Sequence, residues 1–329
     1  MKAIVYQEYG SPDVLRCEEI QKPIPGDNEV LIRVCAAALN PLDWHFVRGR
    51  PYGFRFMSGL RKPKDARLGM DVAGRVEAAG RNVRLFKPGD AVFGICRGAF
   101  AEYACTAERD LAQKPDNVTF EQAASVPVAA FTALQGLRDK GHVEAGQKVL
   151  INGAAGGVGS CAVQIGKWLG AEVTGVCSSR NVEMVRSLGA DHVIDYTRED
   201  FTRSGKRYET IFDCIGNHSL AACRRSLAPR GICVLVGAPS GRWIAPMGRF
   251  LGARLISAFM SRKLAPIMAR WSQDDLHLMA ELMRCGKLNP VIDRRYRLGE
   301  APAALRYLEE GHARGKVVVV PESENSARQ

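Results

Sequence analysis

Closely spaced cysteine and histidine pairs are missing from this 329-residue sequence. Its ten cysteines occur singly with no Cys-x-x-Cys pair, and no two of its six histidines form a His-x-x-x-His pair. Disulfide frameworks and structural zinc sites are built from such closely spaced residues. Neither kind of site is indicated, and we expect most of the cysteines to be small buried hydrophobic residues.

Long apolar runs are missing as well. No stretch approaches the roughly 18 apolar residues that a membrane helix requires, and the first residues, MKAIVYQ, resemble a β-strand rather than a targeting segment. The hydrophobic and charged contents, 46% and 25%, are near globular averages, and a chain of this length has room for two cores. We therefore expect a soluble cytoplasmic protein of two domains.

Acidic residues are scarce in two parts of the chain, whose formal net charge is +11. None lies between Asp213 and Asp274, where nine lysines and arginines fall, and Asp65 is the one acid within Arg48–Arg67. Such charge can attract an anionic coenzyme, a membrane surface or a partner. Recognition-helix and aromatic stacking motifs are missing, so we expect no nucleic acid. The apolar, basic residues 241–271 fit either a subunit contact or a peripheral membrane contact.

The spacing of apolar residues changes twice along the chain. Residues 1–124 alternate apolar and polar side chains between turn residues, which predicts a β-rich domain. Residues 125–262 predict repeated βαβ units and a doubly wound parallel sheet. Its predicted strands are Lys148–Asn152, Glu172–Val176, His192–Asp195, Thr210–Asp213, Ile232–Val236 and Leu255–Phe259. Residues 263–329 predict helices near 274–285 and 301–310 and a final strand that completes the first domain, so the predicted fold class is α/β.

A glycine-rich turn joins a strand to a helix in the segment VLINGAAGGVGSCAVQIGKWLGAEVTGV. In this context glycines let the backbone approach a pyrophosphate and let the helix pack closely on the sheet, while the helix N-terminus supplies N–H groups and a positive dipole end. Ala154 replaces the usual first glycine. The residues predicted to bind a dinucleotide coenzyme here are Ala155, Gly156, Gly157, Val158 and Gly159.

The end of the next strand indicates which coenzyme is bound. Ser178, Ser179 and Arg180 follow that strand, where NAD-binding proteins usually carry an acid. A carboxylate there would repel a 2′-phosphate, whereas hydroxyls and a guanidinium suit phosphate oxygens. Tyr196, just past the third strand, adds a phenolic donor to the same predicted pocket. The sequence therefore favours NADP(H), although Arg180 also fits an ordinary exposed position at the start of a helix.

Several motifs resemble one known family. The chain carries NPLDWHFVRG, LGMDVAGRVEAAG, FKPGDAVFG, VPVAAFTALQGL, NGAAGGVG, LGADHVIDY and ARGKVVVV. With these motifs it resembles the medium-chain dehydrogenase/reductase superfamily over nearly its whole length, and within it the zinc-independent NADPH:quinone oxidoreductases of the reticulon-interacting and plant envelope types. The resemblance implies a GroES-like catalytic domain from residues 1–124 and 263–329, a Rossmann NADP(H)-binding domain at 125–262, and a homodimer.

The resemblance also implies where the reaction takes place. It puts Asn40 and Asp43 beside the nicotinamide ribose, and His45 where relatives carry a tyrosine or lysine. These three are the candidate catalytic residues, although His45 also fits a surface position on a loop, and the neighbouring Trp44 fits either an aromatic wall for the acceptor or internal packing.

Further coenzyme contacts are implied on other elements. Thr132 matches a family threonine close to the nicotinamide, and Lys316 matches a residue that reaches the coenzyme from the last strand. Gly216, Gly237 and Ala238 follow sheet strands, where ligands sit in such folds, or they simply form tight turns.

Departures from the zinc-dependent relatives predict the reaction. Those relatives hold zinc with a cysteine and the histidine of Gly-His-Glu, whereas the matching stretches here read Asn40-Pro41-Leu42-Asp43 and Gly69-Met70-Asp71. We therefore expect no metal. Quinones and α,β-unsaturated carbonyls delocalise the arriving charge and need a Lewis acid less than simple carbonyls do. The expected function is zinc-independent hydride transfer from NADPH to such an acceptor; the alternative is an NADPH-binding scaffold at a membrane surface, on a protein partner or on RNA.

Overall fold

The computed structural model describes residues 1–236 and 263–322, and its chain divides into two units. The first comprises Met1–Val128, Trp271–Gly286 and Pro290–Gln329, so it contains both chain ends. The second comprises Ala129–Arg270 and Lys287–Asn289. The predicted domain boundaries, after residues 124 and 262, stay a prediction.

The described strands and helices are short and alternate along most of the chain. The strands are β1 Lys2–Val5, β2 Arg16–Glu19, β3 Glu29–Ala38, β4 Asp71–Ala79, β5 Ala91–Ile95, β6 Tyr103–Ala107, β7 Leu111–Gln113, β8 Lys148–Asn152, β9 Glu172–Cys177, β10 His192–Asp195, β11 Tyr208–Asp213, β12 Leu227–Leu235, β13 Lys263–Pro266, β14 Ile292–Arg297 and β15 Lys316–Val320. The α-helices are α1 Pro41–Arg48, α2 Arg55–Ser58, α3 Phe120–Ala124, α4 Pro127–Leu134, α5 Gly157–Trp168, α6 Val182–Ser187, α7 Leu220–Arg225, α8 Gln273–Arg284 and α9 Ala301–Glu309.

Both chain ends contribute to one sheet of the first unit. Its strand order is β14-β15-β3-β4-β5-β7, with β6 also paired to β3. The last strand, β15, pairs antiparallel with β3 through Val318–Ala38 and Val319–Ala37. The valines after Lys316 suit a strand with both faces covered, and Val317, Val318 and Val319 are buried. Each such valine contributes about 1.5 kcal/mol or more relative to an exposed one. Consequently Lys316, the first residue of β15, is carried into the interior.

The second unit is built on a parallel sheet. Its strand order is β10-β9-β8-β11-β12-β13, and each neighbouring pair is parallel. Strand β8 is the sequence Lys-Val-Leu-Ile-Asn, whose last four residues are buried, as expected for a central strand with helices on both faces. Strands β9 and β10 lie on one side of β8, and β11 to β13 lie on the other, so the strand order reverses between β8 and β11. Ligands bind at such a switch point in folds of this kind. The predicted α/β class with a doubly wound sheet is confirmed.

Most predicted strands and helices have bounds within two residues of those expected; β9 ends one residue later, at Cys177, and β11 begins two residues earlier, at Tyr208. Strand β12 begins at Leu227, ahead of the predicted Ile232, because its pairing with β11 shifts register and Arg230 adopts a positive φ of 66°. The predicted strand Leu255–Phe259 lies outside the described residues, as does most of 241–271. Strand β13, which pairs with β12, was not predicted. Within residues 1–236 and 263–322, no helix is long and apolar enough to cross a membrane.

Candidate functional site

The three candidate catalytic residues lie at helix α1: Asn40 immediately precedes it, and Asp43 and His45 are part of it. Asn40 precedes the helix, Pro41 occupies its first position, and the Asp43 carboxylate accepts the Asn40 backbone N–H at 2.7 Å. Proline at this position and an acid three residues after the start are typical of helix N-termini. The prediction that His45 lies on a loop was wrong, because these start signals, with Gly49 in the left-handed conformation at the end, make the segment a helix.

Three side chains from separate parts of the chain meet next to the start of α1. The Lys316 ammonium donates to Asn40 Oδ1 at 2.6 Å and to Asp71 Oδ2 at 3.0 Å, and Asn40 Nδ2 donates to the same Asp71 oxygen at 2.9 Å. The Lys316 and Asp71 side chains are 5% and 0% exposed. The other Asp71 oxygen accepts the Val128 backbone N–H at 2.9 Å. We call Asn40, Asp71 and Lys316 the Asp71 cluster. Its buried charges are opposite and hydrogen-bonded, which is the condition for tolerating them.

Asp71 was not among the site residues predicted from the sequence. It was considered only as part of a stretch that lacks a zinc-binding histidine. The available signal was an acid at the start of the apolar strand β4, Asp-Val-Ala-Gly, since an acid on a buried strand needs a partner. That partner is 245 residues away in sequence, so spacing alone could not identify it.

Asp43 lies beside the cluster and is fully buried. One of its oxygens accepts the Asn40 N–H, while Oδ1 has no hydrogen-bond partner among the described residues. The pKa of Asp43 is raised to about 7, mainly by burial and also by the Asp71 charge, although the Asn40 N–H, the Lys316 charge and the Gly69 N–H lower it. A buried carboxyl with one unmatched oxygen is better accommodated with a proton. Asp43 therefore changes protonation near neutral pH, although no part of it reaches the surface.

His45 is positioned by its neighbours on both sides. Its Nδ1 lies 2.7 Å from the Arg50 carbonyl oxygen, and its ring stacks on Trp44 with centroids 3.7 Å apart. A carbonyl only accepts, so we assign the proton to Nδ1. Burial lowers the pKa of His45, which favours the neutral ring with Nε2 as an acceptor. In this form His45 does not donate a proton from Nε2. Trp44 packs against the core of the first unit, in agreement with the packing interpretation.

The glycine-rich turn of the second unit has the shape that a dinucleotide requires. Gly153, one residue before the Ala154 that replaces the usual first glycine, has a positive φ of 88° and supplies the tight turn after β8. A Cβ on Gly159 would lie 2.0 Å from the Gly153 carbonyl oxygen, whereas a Cβ on Gly156 would meet nothing nearer than 3.6 Å. Gly159 thus allows helix α5 to pack on the turn, and Gly156 faces open space. No described side chain caps α5, which leaves the N–H groups of its first turn without a side-chain acceptor.

The predicted 2′-phosphate residues lie together at the ends of β9 and β10. Ser178 follows β9, and Ser179 and Arg180 form a short 3-10 turn. The Tyr196 N–H donates to the Cys177 carbonyl at 3.0 Å, which fixes Tyr196 beside this turn. Arg180 and Tyr196 are exposed. A carboxylate is also present, because the Ser179 hydroxyl donates to Asp195 Oδ2 at 2.6 Å. Asp195 was not among the residues predicted for this pocket.

The remaining predicted coenzyme residues are spread over the second unit. Gly216 follows β11 with a positive φ of 76°, and its N–H donates to Asp213 Oδ1 at 2.9 Å, which fits the turn interpretation. Asp213 Oδ1 also accepts from Asn152 at the end of β8, at 2.8 Å. Thr132 lies on α4, just before a π-helical stretch at Gln135–Lys140. Gly237 and Ala238 lie outside the described residues.

No group of three or more His, Cys, Asp or Glu side chains that could hold a metal ion occurs within residues 1–236 and 263–322. Both oxygens of Asp71, at the stretch matched to the zinc-binding histidine, already accept hydrogen bonds.

Known proteins resemble this chain over nearly its full length. Residues 26–116 match the family model of the alcohol dehydrogenase GroES-like domain, and residues 188–319 match that of zinc-binding dehydrogenases. A chloroplast envelope quinone oxidoreductase homolog of Arabidopsis thaliana is 33% identical, with 98% of both chains covered. An NADPH-dependent alkenal/one oxidoreductase of the same plant is 34% identical, covering 98% of this chain and 80% of the relative. The solved quinone oxidoreductase of Coxiella burnetii has a TM-score of 0.84 at 31% identity, covering 97% and 99%.

Proposed function

This chain belongs to the medium-chain dehydrogenase/reductase superfamily, and from that membership we propose that it reduces quinones or α,β-unsaturated carbonyls with NADPH and without zinc. It is an oxidoreductase of the nicotinamide-dependent kind that its relatives represent. The choice of NADPH, the absence of zinc and the class of acceptor are the proposal.

The Asp71 cluster is the observation that carries the proposal. Met70 stands where zinc-dependent relatives present the histidine of Gly-His-Glu, and the carboxylate of the next residue, Asp71, is occupied by the Lys316 ammonium, the Asn40 amide and the Val128 N–H. Zinc prefers thiolate and imidazole ligands, and neither of the two matching stretches offers one. The donor set therefore fits a metal-free site, and acceptors that delocalise negative charge suit such a site best.

Residues of the second unit fit the coenzyme. Bound NADPH would supply the hydride. The open turn at Gly156 and the uncapped start of α5 would hold its pyrophosphate, and Ser178, Arg180 and Tyr196 would surround its 2′-phosphate. Thr132 is proposed near the nicotinamide on the strength of the family resemblance.

Charge balance in the first unit supports reduction of a conjugated acceptor. The Lys316 and Asp71 charges cancel, so the region around them is neutral when Asp43 holds its proton and carries one negative charge when it does not. Negative charge that develops on an acceptor oxygen is stabilised by donors and opposed by a nearby carboxylate. The proton on Asp43 and the fixed positions of Asn40 and Lys316 are therefore the contributions we assign to this chain; positioning supplies the rest.

The proposal is tested by stopped-flow measurement of NADPH absorbance with a panel of quinones and enones. We expect turnover with at least one class, insensitivity to chelators and less than stoichiometric zinc by elemental analysis. Asn40→Ala should lower the rate tenfold or more, whereas the exposed Asn82→Ala should not change it. Absence of turnover above background with every acceptor would contradict the proposal. So would stoichiometric zinc in the protein together with loss of activity on chelation. The scaffold alternative was based partly on residues 241–271, which lie mostly outside the described part of the chain.

A further inference from the structure

Strand pairing brings an acid to the residues predicted to meet the 2′-phosphate. Strands β9 and β10 are parallel, and their register puts Asp195 opposite Cys177, the last residue of β9. The turn after β9 then lies beside the end of β10, so the Ser179 hydroxyl reaches Asp195 Oδ2 at 2.6 Å. A carboxylate therefore occupies the neighbourhood of Ser179 and Arg180 even though the turn after β9 contains no acid.

The hydroxyl hydrogens in this group are already committed. Ser179 donates to Asp195 Oδ2, and Thr197 donates both its hydroxyl, at 2.7 Å, and its N–H, at 3.0 Å, to Asp195 Oδ1. Each hydroxyl has one hydrogen, so the 3.0 Å contact between the Ser179 and Thr197 hydroxyls adds no outward donor. Ser179 consequently presents a lone pair, which repels a phosphate oxygen, unless its hydrogen leaves Asp195.

Asp195 stays charged and is only weakly neutralised. The Ser179 hydrogen bond is the main cause that lowers the pKa of Asp195, with the Thr197 hydroxyl and N–H adding to it. Arg198 Nε lies 3.6 Å from Asp195 Oδ2, and the Arg198 side chain is 81% exposed, whereas that of Asp195 is 14% exposed. A pair whose cation lies in water at this distance is screened by water and salt and neutralises the carboxylate only weakly. The negative charge is therefore available to act on a ligand.

We propose that Asp195 is a specificity-determining residue that opposes Arg180 and limits how strongly the protein prefers NADPH to NADH. This inference rests on the coenzyme class of the proposed function. The 2′-phosphate of NADPH would be attracted by the Arg180 guanidinium and repelled by the Asp195 carboxylate. The ribose 2′-hydroxyl of NADH has no such charge and can donate to a carboxylate, as it does in NAD-binding proteins. The protein thus binds both coenzymes. The difference between attraction by Arg180 and repulsion by Asp195 sets how strongly it prefers NADPH to NADH.

Equilibrium binding tests this inference without reference to catalysis. Dissociation constants for NADPH and NADH are measured by calorimetry for the full chain and for Asp195→Asn, Arg180→Ala and Glu199→Gln. Asp195→Asn should raise the ratio of the NADH constant to the NADPH constant on the order of tenfold, because one charge beside a phosphate is removed. Arg180→Ala should lower the ratio by a similar factor. Glu199→Gln removes the same charge from an exposed side chain four residues away and should leave the ratio within about twofold.

A second variant addresses the Ser179 hydroxyl. In the native background Ser179→Ala should change the ratio less than about threefold, because Asp195 holds the hydroxyl. In the Asp195→Asn background the hydroxyl can turn to the phosphate, so Ser179→Ala should change the ratio more. The effect of Asp195→Asn should also shrink at high salt, which a change confined to folding would not produce.

The outcomes separate this inference from the proposed function. A ratio that is unchanged or lowered by Asp195→Asn, in protein that still binds NADPH, overturns the role of Asp195. Coenzyme binding with the expected ratios but no turnover of any quinone or enone overturns the proposed reaction and leaves the role of Asp195 standing. Absence of binding to either coenzyme overturns both.

Discussion

The ammonium of Lys316, on the last strand, lies 3.0 Å from the carboxylate of Asp71, and both side chains are buried. A buried pair contributes little net stability by itself, but removing one partner leaves the other charge unpaired away from water. The pair therefore links the C-terminal strand to β4, because separating the two side chains would leave a buried charge without its partner.

Lys316→Met should destabilise the protein by about 3–5 kcal/mol, because the Asp71 charge is left buried without its cation. The double variant Asp71→Asn, Lys316→Met should recover at least half of that loss, since neither charge remains. Urea unfolding of the single and double variants checks this. Lys2→Met, which removes the cation of an exposed pair with Glu322, should leave the stability nearly unchanged. Additive losses in the double variant would show that the two side chains do not interact.

Asp43 should make the free energy of unfolding depend on pH. Its pKa is raised to about 7 in the folded chain, above the ordinary value of about 4 in the unfolded chain. The folded state therefore holds a proton that the unfolded state releases, so this stabilisation is complete below about pH 4 and is lost as pH rises to about 7.

The Asp43→Asn variant isolates this contribution. Its stability relative to the native protein should rise by about 1.4 kcal/mol per pH unit between roughly pH 5 and pH 6.5, because only the native protein must retain the proton. Unfolding curves of both proteins at matched pH values measure the difference. A difference that is constant over this range would contradict the raised pKa of Asp43.

His45 should act through its bond to Arg50 rather than as a proton donor. His45→Asn retains a side-chain N–H that can donate to the Arg50 carbonyl, so kcat/KM for NADPH-dependent reduction should stay within about threefold of the native value. His45→Ala removes that donor and should lower the thermal stability of the protein. A general acid contributes about 10²–10⁴ in rate. A loss of that size in His45→Asn, with disappearance of a pH-dependent limb, would instead assign proton donation to His45.

Two glycines of the dinucleotide turn should respond differently to alanine. Gly156→Ala places its methyl group 3.6 Å or more from the nearest atom, so the melting temperature should change little, while the affinity for NADPH and NADH should fall tenfold or more because the methyl enters the space for the pyrophosphate. Gly159→Ala would bring a methyl group to 2.0 Å from the Gly153 carbonyl oxygen and should lower both stability and affinity. Equal melting temperatures for the two variants would contradict this assignment.

Local sequence determined most of the fold and the coenzyme turn. Strands β8, β10 and β15 have the predicted bounds, because continuous apolar runs between glycine, asparagine and aspartate turn residues specify short buried strands without reference to distant residues. Helix α1 was not predicted, and a loop position was considered for His45, although Asn40, Pro41 and Asp43 together are helix start signals. Family motifs identified the superfamily, because they place turn-forming residues at fixed spacings along the chain.

Only the tertiary structure decided which charges meet. Asp71 and Lys316 are 245 residues apart and come together because β15 returns to pair with β3, next to β4. Ser179 and Asp195 meet because β9 and β10 are parallel in one register. Hydrophobic periodicity records which face of a strand is buried but not which strand lies beside it, and a charge acts on whatever is adjacent in space. The sequence by itself therefore specified the glycine-rich turn between β8 and α5, whereas strand pairing placed the carboxylates of Asp71 and Asp195 beside their partners.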